Sequence, residues 1–102
     1  MVACTTGPRA HELSGHERSG ARYAVVVQSD DLPLSMLLVA PTSTSARAAS
    51  FRPEINIEGR TTRVLAEQTA AVDPNRLGDL VGHLRFDELR QVDAALRLIL
   101  DL

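Results

Sequence analysis

The chain has 102 residues, of which 44% are hydrophobic and 24% charged, and its formal net charge is −2. That size and balance describe one globular domain, exclude a disordered or fibrous chain, and exclude a protein that coats nucleic acid by bulk charge. The lone Cys4 forms no internal disulfide and no metal site, no apolar run approaches the ~20 residues of a membrane span, and the first residues lack the apolar stretch of a signal peptide, so a soluble cytoplasmic domain is expected.

Residues 1–21 are small, polar and without periodicity, punctuated by Gly7, Pro8, Gly15 and Gly20, and read as loop. Residues 22–28 (RYAVVVQ) are β-branched and aromatic and predict a strand. A turn over 29–33 leads to a second strand, 35–41 (SMLLVAP). Both strands are apolar on both faces, which predicts central positions in a sheet. Residues 42–50 read as a flexible loop. Phe51, Pro53, Ile55 and Ile57 alternate as in a third strand, and 59–62 read as a turn. The run from Arg63 is strand-like through at least Ala66, 73–76 form a turn or one helical turn, and 79–84 form a short strand. Leu89, Val92, Leu96 and Ile99 then recur at spacings that mark one stripe of a helix. Arg85 is a poor cap for that helix. The sum is an α+β domain, a small antiparallel sheet or barrel closed by a C-terminal amphipathic α-helix.

All 11 basic residues are Arg. GC-rich codon usage explains this more simply than selection for phosphate, so location carries more than number. Arg47, Arg52, Arg60 and Arg63 outnumber Glu54 and Glu58 in the middle of the chain, whereas acids outnumber Arg from Glu67 onward. The middle therefore suits an anionic ligand. A first hairpin centred at Leu32 sets Gln28 opposite Met36, Ala24 opposite Ala40 and Arg22 opposite Thr42. Directly opposed residues share a face, so a guanidinium and a hydroxyl meet where the hairpin opens, an arrangement able to hold one phosphate. The plainer alternative is a surface Arg at a strand end.

Several segments, in order, resemble the MazF/PemK-type endoribonuclease toxins of bacterial toxin–antitoxin systems. Residues 15–23 (GHERSGARY) resemble the family loop G-x-E-x-x-G-x-R-P, 24–30 (AVVVQSD) its following strand, and 39–44 (VAPTST) the second strand with its Thr-containing end. LAEQ at 65–68, AVD at 71–73, RLG at 76–78 and VDAALRLIL at 92–100 follow the family's second half. The likeness spans residues 15–102, the toxin-like domain, and leaves 1–14 as a divergent or weakly ordered N-terminal segment. Residues 1–13 do not resemble the family's opening strand, and Tyr23 stands where the family has Pro.

The resemblance implies an SH3-like sheet with a C-terminal helix, a homodimer, a cognate antitoxin partner, and cleavage of single-stranded RNA with no cofactor or metal. It places Arg22 and Thr42 at the catalytic positions and Glu17 in an assisting one. Such a reaction uses the substrate's 2′-OH to attack the adjacent phosphorus. Arg22 then stabilises charge and assists the leaving group, Thr42 and Ser43 hold a phosphate oxygen, and Glu17 accepts the 2′-OH proton. Tyr23, Ser43, Thr44, Arg47, Arg52 and Gln68 are the candidate RNA contacts, and Phe51 is either a stacking surface or a core residue. His16, in the Glu17 loop, is a candidate proton shuttle because histidine is the side chain that exchanges protons near neutral pH. Two other readings remain: a non-catalytic relative that binds a protein such as DNA gyrase, and a plain SH3-like binding module.

Overall fold

A computed structural model describes residues 9–13, 23–28 and 35–102. Its elements are β1 (Arg9–Leu13), β2 (Tyr23–Val26), β3 (Leu37–Ser43), β4 (Glu54–Ile57), β5 (Arg60–Val64), a 3₁₀ turn (Ala66–Gln68), β6 (Ala70–Val72), a second 3₁₀ turn (Pro74–Arg76), β7 (Leu77–His83) and α1 (Phe86–Leu100). The strands form one curled antiparallel sheet, a half-barrel, in the order β4-β5-β3-β2-β1-β7, with β6 beside β3. The class is α+β, as the sequence predicts. No helix among the described residues is long and apolar enough to cross a membrane.

The two central strands are buried on both faces at Ala24–Val26 and at Val39 and Ala40, while Leu38 is exposed. Val25 and Ala40 share one core with Ile55, Ile57, Val64 and Val92 of the helix. Ala24, Val26 and Val39 form a second core on the opposite side, against Leu37, Val72 and Leu77. Each fully buried aliphatic side chain contributes about 1.5–3 kcal/mol, and the doubly buried pair explains why AVVV and LLVA show no alternation.

Four expectations need correction. Residues 9–13, read as loop, form β1, which pairs with β2 (His11 opposite Ala24) and with β7 (Arg9 opposite His83). Their sequence, RAHEL, has no apolar alternation, so neighbours on both sides make it a strand. Thr42 and Ser43 belong to β3 rather than to a loop, because Val64 and Arg63 pair with them. The turn lies at Glu58–Gly59, and Arg60 already pairs with Ile57. Finally, the first hairpin is shifted by one residue: Val25 faces Ala40 and Ala24 faces Pro41. Two strands that are apolar on both faces do not specify their own register.

Pro41 sits inside a central strand, where a missing N–H normally breaks the ladder. Its carbonyl accepts from the Leu65 N–H at 2.8 Å, so its nitrogen faces that same side. There the neighbour of β3 changes from β6 (Leu37–Val39) to β5 (Thr42, Ser43), and Pro41 itself pairs with neither. The absent donor thus falls at the junction.

The helix packs through Leu89, Val92 and Ala95, all buried, while Ile99 of the expected stripe is exposed. Its missing polar cap is supplied from within. Glu88 Oε1 accepts from the Arg85 N–H at 2.9 Å, and Oε2 accepts from the Asn56 N–H at 2.8 Å. One buried carboxylate therefore caps the helix and ties it to the edge strand β4, blunting that edge. Asp87 binds the exposed Arg85 guanidinium at 3.1 Å, which holds the Asp87 carboxyl below its ordinary range.

Candidate active site

The mouth of the first hairpin is built by β2 and β3. The observed register, continued one residue past the Ala24–Pro41 pair, brings Thr42 to Tyr23. The Thr42 hydroxyl donates to the Tyr23 carbonyl at 2.9 Å, and Thr42 is only 6% exposed. Its proton is engaged, which leaves the oxygen's two lone pairs as acceptors. Tyr23 packs its ring on the helix-side core and donates its phenol proton to Glu58 Oε1 at 2.8 Å. Arg22, Glu17 and His16 lie outside the described residues.

Beyond Ser43 the backbone leaves the sheet. Ser43 and Ser45 hydroxyls are 3.4 Å apart, and the Ser43 oxygen accepts from the Ser45 N–H at 3.2 Å. Thr44 and Arg47 are exposed. The 44–53 segment is closed by Arg52, which reaches across to the 3₁₀ turn. Its Nε and one terminal nitrogen both donate to Glu67 Oε2, at 2.9 and 2.6 Å, and its other terminal nitrogen donates to the Arg47 carbonyl at 3.3 Å. The Arg52 guanidinium also stands 5.6 Å from the centroid of the half-buried Phe51 ring, a cation–π distance. Gln68, beside Glu67, is exposed, so its amide is not a core group.

Arg63, counted in the sequence only as part of the basic excess of the middle region, was not read as a site residue. It pairs with Ser43 on one side and Glu54 on the other, donates to Glu54 Oε2 at 3.0 Å, and donates to the Arg52 carbonyl at 3.0 Å. Strand pairing alone would have found it, had the turn been placed at Glu58–Gly59. Glu58 was missed for the same reason. Arg52 and Arg63 are thus both partnered by carboxylates, and the basic excess of the middle region is partly neutralised in place.

The Arg52 hydrogen bonds hold the Glu67 carboxyl below its ordinary range, against the opposing effect of burial. A depressed carboxylate pKa adds stability that is full above the unfolded value, about 4.3 for glutamate, and is lost as pH falls through the lower folded value. Arg52→Ala is therefore expected to melt below wild type at neutral pH. The gap between the two melting temperatures should narrow on acidification from about pH 5 to about pH 3. Thermal melts across that range check it, and a constant gap would mean the pair contributes nothing electrostatic.

A family model described as PemK-like, MazF-like toxin of type II toxin–antitoxin system matches residues 4–100. The chain belongs to this toxin family. The match takes in β1, so the N-terminal strand lies within the part of the toxin that the family describes. A curated Mycobacterium tuberculosis (strain ATCC 25618 / H37Rv) protein named "Putative toxin Rv3098A/RVBD_3098A" is 42% identical over 89 residues, which cover 86% of this toxin and 84% of that protein. Among solved structures, the Mycobacterium tuberculosis toxin MazF-mt6 superimposes with a TM-score of 0.79 at 19% identity, over 92% of this chain and 97% of that one. An endoribonuclease in complex with its cognate antitoxin, from Mycobacterial species, gives 0.78 at 17% identity, over 95% and 94%. MazF (Form-I) from Deinococcus radiodurans gives 0.76 at 21% identity, over 100% of both chains. These structures share the toxin's fold: the half-barrel and the single C-terminal helix.

Proposed function

We propose that this toxin is an endoribonuclease that cuts single-stranded RNA at selected sequences, without a metal, in the cytoplasm. In this reading the ribose 2′-oxygen attacks the adjacent phosphorus while the bond to the 5′-oxygen breaks. The products carry a 2′,3′-cyclic phosphate and a 5′-OH. Glu17 takes the 2′-OH proton. Arg22 stabilises the extra charge on the phosphoryl oxygens and assists the departing 5′-oxygen. Thr42 holds the backbone beside Arg22 in place. Tyr23, Ser43, Thr44, Arg47, Arg52 and Gln68 line the path of the RNA. A cognate antitoxin with an acidic segment competes for the same arginines. A second copy of the chain covers part of the exposed apolar surface, in which Leu98, Leu100 and Leu102 are 57%, 60% and 82% exposed.

The observation that supports this reading best is the bond from Thr42 to the Tyr23 carbonyl. It fixes, from a buried side chain, the backbone immediately next to the Arg of the family motif. Structural neighbours described as endoribonucleases add support from the fold. The test uses purified toxin and single-stranded RNA in EDTA. Cuts at a restricted set of sites, with 5′-OH ends, are expected. Absence of cleavage, together with arrest of DNA gyrase, would replace the proposal with the non-catalytic reading.

A further inference from the structure

The turn between β4 and β5 has two residues, Glu58 and Gly59, flanked by the paired Ile57 and Arg60. Both adopt left-handed backbone, with φ of 52° and 82°. A two-residue hairpin turn with two positive φ values favours Asn-Gly, Asp-Gly or Gly-Gly, because longer L side chains resist that conformation. Here the first position is Glu. Asn56, two residues earlier, braces the turn by accepting the Gly59 N–H on its side-chain oxygen at 2.9 Å. Local backbone preference therefore does not explain Glu58, whereas its side chain has a distant task. It accepts the Tyr23 phenol proton at 2.8 Å, across 35 residues of sequence.

Tyr23 is consequently held at three points. Its phenol is tied to the β4–β5 turn, its ring lies on the helix-side core, and its carbonyl receives the Thr42 hydroxyl. We infer that Glu58 and the Tyr23 phenol form a positioning clamp that sets the start of β2 against Thr42. The inference rests on the nuclease reading above and adds Glu58, and a positioning role for the phenol of Tyr23, both acting through their neighbours without touching the scissile phosphate. A geometric error of about 1 Å at a reacting group costs up to ~100-fold in rate, so the clamp should be visible in turnover.

The experiment separates positioning from simple stabilisation. Glu58→Gly suits the left-handed turn better than glutamate, so its melting temperature should match or exceed wild type. Its kcat on single-stranded RNA should nevertheless fall by about 10- to 100-fold, with KM unchanged. Tyr23→Phe should show the same fall, and the double variant should be no worse than either single one. Glu58→Gln keeps an acceptor oxygen at the same reach and should recover most of the kcat lost in Glu58→Gly. Wild-type kcat in Glu58→Gly, or losses that multiply in the double variant, would overturn the clamp. Should wild-type toxin cut no RNA, the nuclease reading itself fails, and amide hydrogen exchange over Tyr23–Val26 decides the clamp. Equal acceleration in Glu58→Gly and Tyr23→Phe supports it; unchanged exchange overturns it.

Discussion

Arg22→Ala is expected to reduce RNA cleavage by about 10²- to 10³-fold while the fold persists. The size follows from what one charged donor aimed at a developing oxyanion contributes. Phosphoryl oxygens gain charge as the 2′-oxygen bonds to phosphorus, and a guanidinium presents two parallel N–H groups to that charge. A point charge of different shape replaces this poorly, so Arg22→Lys should recover only part of the loss. Persistence of the fold follows from where the cores lie. Both are built from residues such as Val25, Ala40, Val64 and Val92, and Ala24, Val26 and Val39. Single-turnover cleavage of a defined oligonucleotide, paired with far-UV circular dichroism and a thermal melt, measures both halves. Undiminished cleavage would remove Arg22 from the chemistry.

Glu88→Ala is expected to be the most damaging single change to stability outside the apolar cores. Its two carboxylate oxygens accept from Arg85 and Asn56, and the residue is only 4% exposed. Hydrogen bonds to a charged group contribute about 1.5–3 kcal/mol each, and their loss also strands two backbone donors. A total near 3 kcal/mol lowers the melting temperature by roughly 12–24 °C in a domain of this size. Asp87→Ala, one residue away and solvent-exposed, should change it little, because exposed ion pairs are screened. Urea unfolding of both variants provides the comparison. Equal midpoints for the two would mean that the Glu88 staple is dispensable.

What could be read from the sequence was what neighbouring residues decide together. AVVV and LLVA announced two strands buried on both sides, and both cores bear this out. The stripe Leu89, Val92, Leu96 and Ile99 announced the closing helix, which runs from Phe86 to Leu100, although Ile99 itself is exposed. The ordered segments led to the toxin family, and the family model agrees. What stayed hidden depends on residues far apart in the chain. RAHEL becomes a strand only because β2 and β7 flank it. The hairpin slipped by one residue because doubly apolar strands carry no mark of phase. Tyr23 with Glu58, and Glu88 with Asn56, are contacts across 35 and 32 positions, which no local pattern encodes. Of the hairpin mouth, the sequence offered Thr42 but not its partner, since the hydroxyl serves a carbonyl rather than a neighbouring side chain.

The proline in the middle of β3 has a consequence for the two strands paired beside it. A single uninterrupted strand lying along β3 would meet a blank where it needs a proton, so the chain there is obliged to come as two shorter pieces. The splice between them is the 3₁₀ turn at Ala66–Gln68, seated where Leu65 donates to Pro41. That splice lifts Glu67 and Gln68 out of the pleat and swings the glutamate within reach of Arg52. One imino acid deep in the sheet thereby dictates where the outer loop is fastened.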